Sequence, residues 1–197
     1  MIAWSLDACL ACEAVAGVVV AVPAGYEHGL DGLDGVRIVD GGSTRAESVA
    51  NALAAVDTEY VAIHDAARPL LTPELLQDLV SLLAATPDAD GAIAAAPVTD
   101  TVKKVRGIFR VPETRKAPRA IEATLDRSEL WGAQTPQVFR TAALRSAQKA
   151  ADAATDEAML IEAAGGKVLI HDTGAANLKV TTRFDLRVAE LLLAERT

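Results

Sequence analysis

Residues 60–70 read YVAIHDAARPL, a short apolar stretch that ends abruptly in charged side chains. Residues 60–63 have the composition of a buried strand, and His64, Asp65 and Arg68 follow within five positions, just before Pro69. In an α/β sheet, ligands bind beyond the carboxyl ends of the strands. The stretch therefore predicts an α/β protein with a ligand site at this end of a strand.

Segments with strand and helix character alternate along the rest of the chain. Strands are predicted at 17–23, 36–40, 60–64, 91–98 and 167–171, with a short one at 177–181. Helices are predicted at 3–14, 45–55, 72–85, 141–151, 156–164 and 184–195. This order predicts a doubly wound, mostly parallel α/β sheet. No GxGxxG or GxxxxGK[ST] motif occurs, which argues against dinucleotide dehydrogenases and P-loop NTPases.

Length and charge limit the possible classes of protein. A chain of 197 residues predicts a single domain over 1–197. The net charge of −8 argues against nucleic acid or an anionic membrane as a partner. No run of 18 apolar residues and no basic leader segment are found, so we expect a cytoplasmic protein.

Two segments have alternative interpretations. Residues 103–119 hold seven of the nineteen Lys and Arg residues, and they indicate either a solvated arm or direct ligand binding. We expect a protruding β-arm over 101–125. Cys9 and Cys12 form a CxxC pair, but no second pair accompanies them, which favours core-facing thiols over a redox or metal site.

Polar clusters recur where the predicted strands end. GGSTRAES (41–48), HDAAR (64–68) and TDTVKK (99–104) follow three strands, and ATDEA and NLKVT come later in the chain. Asp65 offers a hard oxygen ligand for Mg²⁺, and Arg68 offers a planar fork for phosphate. Each residue alone also fits a surface or structural role. Together the clusters predict a phosphate site that holds a metal ion.

The clusters also carry a resemblance. GGxxRxxSV, HDAARP, APVxDTxK, TxDRxxLWxxQTPQxF, TDEAxxxExxG and NxKVTxxxDLxxAE occur in this order from Gly41 to Glu190. The sequence thereby resembles the 2-C-methyl-D-erythritol 4-phosphate cytidylyltransferases. The resemblance implies a nucleotidyltransferase-type, Rossmann-like sheet and transfer of CMP from CTP to methylerythritol phosphate. It also implies Mg²⁺ and a homodimer joined by an arm at about 103–125. Ribitol-5-phosphate cytidylyltransferase is the alternative within the same class.

The same resemblance assigns roles to particular residues. Asp65 is implied as the Mg²⁺ ligand, and Arg127 and Lys179 as the residues that grip the sugar phosphate and aim it at the α-phosphorus. Gly42 and Ser48 are implied to recognise the cytidine. The remaining implied substrate-binding residues are Ala66, Arg68, Thr101, Thr135 and Thr155.

One family pattern has no counterpart in these 197 residues. The family carries a strand and a loop of the form AAGxGxRxG…PK, which cradles the triphosphate, and Met1 to Leu6 align with the helix after that loop. We therefore expect a sheet without its first strand, from a misplaced gene start or from a truncated or degenerate copy. We also expect little transfer activity, so a non-catalytic dimeric remnant that binds sugar phosphate stays an alternative.

Overall fold

The computed structural model describes residues 1–27, 29–30, 32–106, 120–150, 155–174 and 176–196. Its helices are α1 (Ile2–Leu10), α2 (Arg45–Ala54), α3 (Pro73–Ala84), α4 (Thr141–Ala150), α5 (Glu157–Ala163) and α6 (Arg183–Ala194). Its strands are β1 (Val18–Val22), β2 (Val36–Asp40), β3 (Tyr60–Ile63), β4 (Gly91–Pro97), β5 (Lys103–Arg106), β6 (Ala120–Thr124), β7 (Trp131–Arg140) and β8 (Val168–Asp172). The predicted α/β class is confirmed.

A four-stranded sheet with the order β3-β7-β4-β8 forms the centre of the fold. β7 is antiparallel to both of its neighbours, and β4 is parallel to β8. β3, β4 and β8 therefore point in one direction, as a doubly wound sheet requires, and β7 is the exception. No strand was predicted from the sequence at the position of β7.

Helices cover both faces of this sheet, as the side chains of two successive β7 residues show. Val138 packs with Leu79 and Leu83 of α3 on one face. Phe139 packs on the other face with Leu144 of α4 and Ile161 of α5. Successive strand residues point to opposite faces, so the two buried neighbours belong to two different core layers.

β1 and β2 form a separate parallel pair. A cleft of about 620 Å³ lies between this pair and β3, with walls from α1 and α2. β1 and β3 each have one strand partner among the described residues, and both line the cleft.

The predicted arm is present in its described part. β5 and β6 pair antiparallel, from Lys103 with Thr124 to Arg106 with Ala120. Residues 107–119 of the predicted arm lie outside the described residues.

Two other sequence predictions have clear outcomes. Cys12 is buried and Cys9 is half-buried, and both are free thiols in one apolar cluster with α1 and α3 residues, as predicted. The strand predicted at 177–181 is wrong. Val180 N donates instead to Ala67 O at 2.8 Å, so this segment bonds to the loop after β3 rather than to a sheet.

Among the helices in the described part of the chain, none combines the length and apolar character needed to span a bilayer.

Candidate active site

The loop after β3 and the segment around residue 178 meet at one rim of the sheet. Arg68 Nη1 donates to Asn177 O at 2.7 Å, and this guanidinium is almost fully buried. Asn177 Nδ2 in turn donates to Thr135 O at 2.8 Å. Two of the predicted clusters, HDAAR and NLKVT, are therefore joined at one rim by buried hydrogen bonds that also include Thr135 of β7.

Asp65 is the centre of the charged part of this rim. Lys179 Nζ lies 2.7 Å from Asp65 Oδ2, and Arg45 Nε lies 3.1 Å from Asp65 Oδ1. Burial raises the pKa of Asp65, but the hydrogen bond from Lys179 and the charge of Arg45 lower it by more, so the net shift is downward. Asp65 is therefore an anion held between two cations.

Arg45 and Glu157 belong to the same cluster, and neither was among the site residues predicted from the sequence. Arg45 Nη1 and Nη2 lie 2.8 Å and 2.9 Å from Glu157 Oε1 and Oε2, a bidentate pair. Burial lowers the pKa of Arg45, but Glu157 and Asp65 raise it by more, so the net shift is upward and this guanidinium keeps its charge. Both residues lie inside quoted motifs, GGxxRxxSV and TDEAxxxExxG, but nothing in those motifs shows that they pair.

Thr135 and His64 hold the backbone of Asp65. Asp65 N donates to Thr135 Oγ1 at 3.0 Å, and Thr135 Oγ1 lies 3.3 Å from His64 Nδ1. His64 Nε2 lies 3.1 Å from Arg68 O, which can only accept, so Nε2 carries the ring proton and Nδ1 accepts from Thr135. Burial lowers the pKa of His64 to about 4, which favours this neutral form.

The loop between β2 and α2 is closed by its own side chains. Thr44 caps α2 by accepting from Glu47 N at 3.1 Å, and Gly42 N donates to Ser48 Oγ at 3.0 Å. A Cβ added at Gly42 would lie 2.1 Å from Glu47 Cβ, so this position accepts only glycine without a shift of the loop. The glycine thus allows the loop to lie against the start of α2.

Two cavities open at the rim and share Lys179. The first is the cleft of about 620 Å³, whose lining includes Arg45, Ser48, Asp65 and Ala66. The second, of about 430 Å³, is lined by Arg68, Thr99, Asp100 and Gln134. Lys179 therefore lies between two spaces, each with a cation and with room for a ligand.

Four predicted site residues stand apart from the Asp65 cluster, and one of them is Gly42, which lines neither of the two cavities. Arg127 lies in a 3-10 turn at Arg127–Glu129 and donates to Thr99 O, a residue of the second cavity. Thr101 is exposed and lines neither of these two cavities. Thr155 is also exposed, and its Oγ1 lies 3.8 Å from Met159 Sδ. Arg127 thus borders the second cavity through Thr99.

The donor set indicates which ligands this rim can bind. Arg45, Arg68 and Lys179 supply cationic donors for an anion such as phosphate. No group of three acidic, histidine or cysteine side chains suited to a metal occurs within the described ranges. Asp65 alone fits a cation that takes its other ligands from water and substrate phosphates, which is how Mg²⁺ is usually bound.

The fold is an α/β sheet of the nucleotidyltransferase type, and its rim has cationic donors suited to an anion. The family model described as "IspD: 2-C-methyl-D-erythritol 4-phosphate cytidylyltransferase" matches residues 1–195. The chain belongs to this family.

Individual relatives agree with the family match. A bifunctional IspD/IspF enzyme of Anaeromyxobacter dehalogenans is 46% identical over 193 residues, covering 93% of this chain and 47% of the relative. The 2-C-methyl-D-erythritol 4-phosphate cytidylyltransferase of Parasynechococcus marenigrum is 42% identical, covering 100% of this chain and 86% of the relative. The chain thus spans about half of the bifunctional relative and most of the single-function one.

Solved structures show the same relation. The 2-C-methyl-D-erythritol 4-phosphate cytidylyltransferase of Thermus thermophilus is 34% identical with a TM-score of 0.77, covering 96% of this chain and 86% of that one. A structure described as 4-diphosphocytidyl-2C-methyl-D-erythritol synthase is 35% identical with a TM-score of 0.81, covering 98% and 89%.

Proposed function

We propose that this chain is a cytoplasmic cytidylyltransferase that transfers CMP from CTP to 2-C-methyl-D-erythritol 4-phosphate and releases pyrophosphate. The main support for this proposal is the 2.7 Å contact between Asp65 Oδ2 and Lys179 Nζ, because Lys179 lines both cavities. A reaction that joins two anions needs cations between its two binding spaces, and Lys179 occupies that place. The residues 1–197 are proposed to act as one nucleotidyltransferase-like domain.

Mg²⁺ is the proposed cofactor, with Asp65 as its protein ligand. The carboxylate is an anion, because two cations lower its pKa. A bound Mg²⁺ would neutralise charge on the triphosphate. Glu157 is not proposed as a second ligand, because both of its oxygens accept from Arg45.

The reaction itself needs positioning more than covalent help. A phosphate oxygen of the sugar alcohol attacks the α-phosphorus in line while pyrophosphate leaves. Lys179 and Arg127 are proposed to hold that phosphate, because Lys179 lines the second cavity and Arg127 contacts its wall at Thr99.

The other proposed binding residues take the remaining parts of the two substrates. Gly42 and Ser48 are proposed to face the cytidine, through the loop that their hydrogen bond closes. Arg68, Thr135 and Ala66 are proposed to shape the space between the two substrates. Thr101 and Thr155 are proposed binding residues on the resemblance alone.

Binding measurements test the substrate assignment on the chain as it stands. Calorimetry should detect methylerythritol phosphate, and Lys179→Ala should weaken its affinity by about 10- to 100-fold, because a charged hydrogen bond is lost. Lys167→Ala is the matched control, since Lys167 pairs with Asp88 on the surface. Tighter binding of ribitol 5-phosphate would favour the alternative substrate, and no binding of either sugar phosphate would refute the proposal.

Pyrophosphate release from CTP and methylerythritol phosphate tests the chemistry. These 197 residues contain no AAGxGxRxG pattern, and losing even one preorganised donor typically costs about 100- to 1000-fold in rate. We expect low turnover, with restoration in a version that carries such a loop upstream of Met1. Sugar-phosphate binding without turnover in either version would support the non-catalytic remnant.

A homodimer is proposed through the arm at about 103–125. Val105 and Ile121, which are paired in register across β5 and β6, expose 40% and 63% of their surface. A two-stranded ribbon is marginal alone, so burial of these side chains by a second copy would stabilise it. Light scattering should give about twice the 20.5 kDa chain mass. Ile121→Glu should produce monomers, whereas Leu191→Glu on exposed α6 should not, and a wild-type monomer at micromolar concentration would refute the proposal.

A further inference from the structure

The rim contains a continuous chain of four charged side chains. From one end to the other they are Glu157, Arg45, Asp65 and Lys179, joined by contacts of 2.8 and 2.9 Å, then 3.1 Å, then 2.7 Å. Arg45 therefore commits three of its nitrogens to two carboxylates. The two ends of the chain differ, because the Glu157 side chain is only 4% exposed whereas that of Lys179 is 44% exposed.

The buried end is rigid for electrostatic reasons. A carboxylate buried as deeply as Glu157 is costly unless its charge is paired and hydrogen-bonded. The bidentate guanidinium of Arg45 provides that pairing in fixed geometry, because both groups are planar forks. Arg45 begins α2 and Glu157 begins α5, so the pair also joins two helix starts across the rim.

The exposed end can exchange its partner. The side chains of Arg45 and Lys179 are exposed to a similar degree, 40% and 44%, but Arg45 is also held by Glu157 whereas Lys179 is joined to Asp65 by one contact on a flexible stem. A partly exposed ion pair with a single contact contributes little free energy. Of the two oxygens of Asp65, Oδ1 is therefore bound to a fixed arginine and Oδ2 to an exchangeable lysine.

We infer that Arg45 is a positioning residue for Asp65: Glu157 fixes Arg45, Arg45 fixes Oδ1, and Oδ2 is left as the oxygen that meets an incoming cation. The inference rests on the proposed function for the arrival of that cation with CTP. Within it, Glu157 acts only through Arg45 and touches no substrate.

The choice of arginine is testable because lysine cannot reproduce its geometry. Arg45→Lys keeps the positive charge but has a single terminal nitrogen, which cannot contact Glu157 bidentately and Asp65 at once. We expect the affinity for CTP in the presence of Mg²⁺ to fall about 10- to 100-fold, the usual cost of losing a residue that orients a metal ligand. Glu157→Gln should reduce it in the same direction.

A double-mutant cycle tests whether Glu157 acts through Arg45. The Arg45→Lys/Glu157→Gln variant should bind CTP with Mg²⁺ within about twofold of Arg45→Lys alone, since residues in one network are not additive. Arg145→Lys is the control, because Arg145 contacts the carbonyl of Leu53 and lies outside this chain of charges. Urea unfolding of each variant separates loss of folding from loss of positioning.

A spectroscopic measurement gives a readout independent of nucleotide binding. In ¹⁵N-arginine spectra, the Arg45 Nε–H should be protected from exchange in the wild type, and this protection should be lost in Glu157→Gln while Arg145 is unchanged. Additive effects of the two substitutions, or a protected Nε–H in Glu157→Gln, would overturn the inference. If the wild type itself failed to bind CTP with Mg²⁺, the proposed function would fail together with this inference; unaffected variants of a wild type that binds would refute the inference alone.

Discussion

Acidification should destabilise this protein through His64, and the structure gives the size of the effect. The ring is held neutral between Arg68 O and Thr135 Oγ1, and burial lowers its pKa from 6.5 to about 4. As the pH falls through 6.5, the unfolded chain binds a proton at this position and the folded protein does not. Stability is therefore complete above about pH 7 and is lost as the pH falls toward 4.

The loss can be worked out from the two pKa values. A difference of about 2.5 pH units corresponds to at most ~3.4 kcal/mol, reached below pH 4. At pH 5.0 the same relation gives a loss of roughly 2 kcal/mol relative to pH 7.5. Carboxylates such as Asp65, whose pKa is lowered, lose their contribution at lower pH than this window.

Urea unfolding followed by far-UV circular dichroism at pH 7.5 and 5.0, in metal-free buffer, measures this loss. His64→Gln is the reference variant, since glutamine can bond to the same neighbours and does not titrate. The wild type should lose about 2 kcal/mol more than His64→Gln between the two pH values. Equal losses in both proteins would refute the assignment of a neutral, buried His64.

Three further predictions concern other parts of the site and core. Gly42→Ala should cost about 1–3 kcal/mol of stability and lower CTP affinity, because its Cβ would lie 2.1 Å from Glu47 Cβ. Gly132→Ala is the control, since a Cβ there would lie 3.7 Å from its nearest neighbour, Ala96 O, and equal effects of the two substitutions would contradict the prediction. Arg127→Ala and Lys179→Ala should lower the affinity for methylerythritol phosphate without weakening CTP binding, whereas Asp65→Asn should weaken CTP binding with Mg²⁺. If calorimetry showed that Lys179→Ala abolished CTP binding and left sugar-phosphate binding intact, the two substrate assignments would be exchanged. Burial and the neighbouring Cys12 raise the pKa of Cys9 to about 11. Labelling of Cys9 by a thiol reagent at pH 8 should therefore be at least ~100-fold slower than in the unfolded chain, and rapid labelling of the folded protein would contradict this prediction.

The strands and helices with clear hydrophobic patterns could be predicted from the sequence. β2 lies at 36–40 as predicted, and α3, capped by Thr72 and opened by Pro73, begins where those residues indicate. These elements have local signals, namely an apolar run or a cap, and local signals suffice to predict them.

β7 could not be predicted because its sequence contradicts its position. WGAQTPQVFR contains a proline and two glutamines, yet it forms the strand between β3 and β4. Pro136 is tolerated because the ladder with β3 ends at Gln137 and the ladder with β4 shifts register between Gln137 and Ala133. Its missing N–H therefore falls where no ladder bond is needed.

Gln137 is a second feature of β7 that the sequence does not predict. It is 1% exposed, which no hydrophobic pattern predicts. Its amide donates to Asp156 Oδ2 at 3.0 Å, and its Oε1 accepts from Ala158 N at 3.3 Å. Because both partners lie in another motif some twenty residues away, only the tertiary structure shows why a glutamine is buried here.

The site was predicted in its residues but not in its pairing. Asp65 and Lys179 were both identified, yet 114 positions separate them, and their contact depends on how the segment near 178 packs on the loop after β3. Glu157 was missed because it begins a helix, where an acid is ordinarily a favourable dipole partner and needs no other explanation. Its burial is what distinguishes it.

The ion pair between Asp65 and Lys179 implies that the two substrates should bind cooperatively. A sugar phosphate that draws Lys179 away leaves Asp65 Oδ2 free for a cation, and a cation at Asp65 leaves Lys179 free for phosphate. Each ligand then removes the bond that the other must break, and such a coupling is reciprocal by thermodynamic necessity. We expect methylerythritol phosphate to increase the affinity for CTP with Mg²⁺ by up to about fivefold, because breaking a partly exposed ion pair costs at most about 1 kcal/mol. Calorimetric titration of CTP with and without the sugar phosphate measures this, and Lys179→Ala should remove the increase. An increase that survived Lys179→Ala would show that the coupling runs through another group, and equal affinities in the wild type would show that the ion pair is not broken on binding.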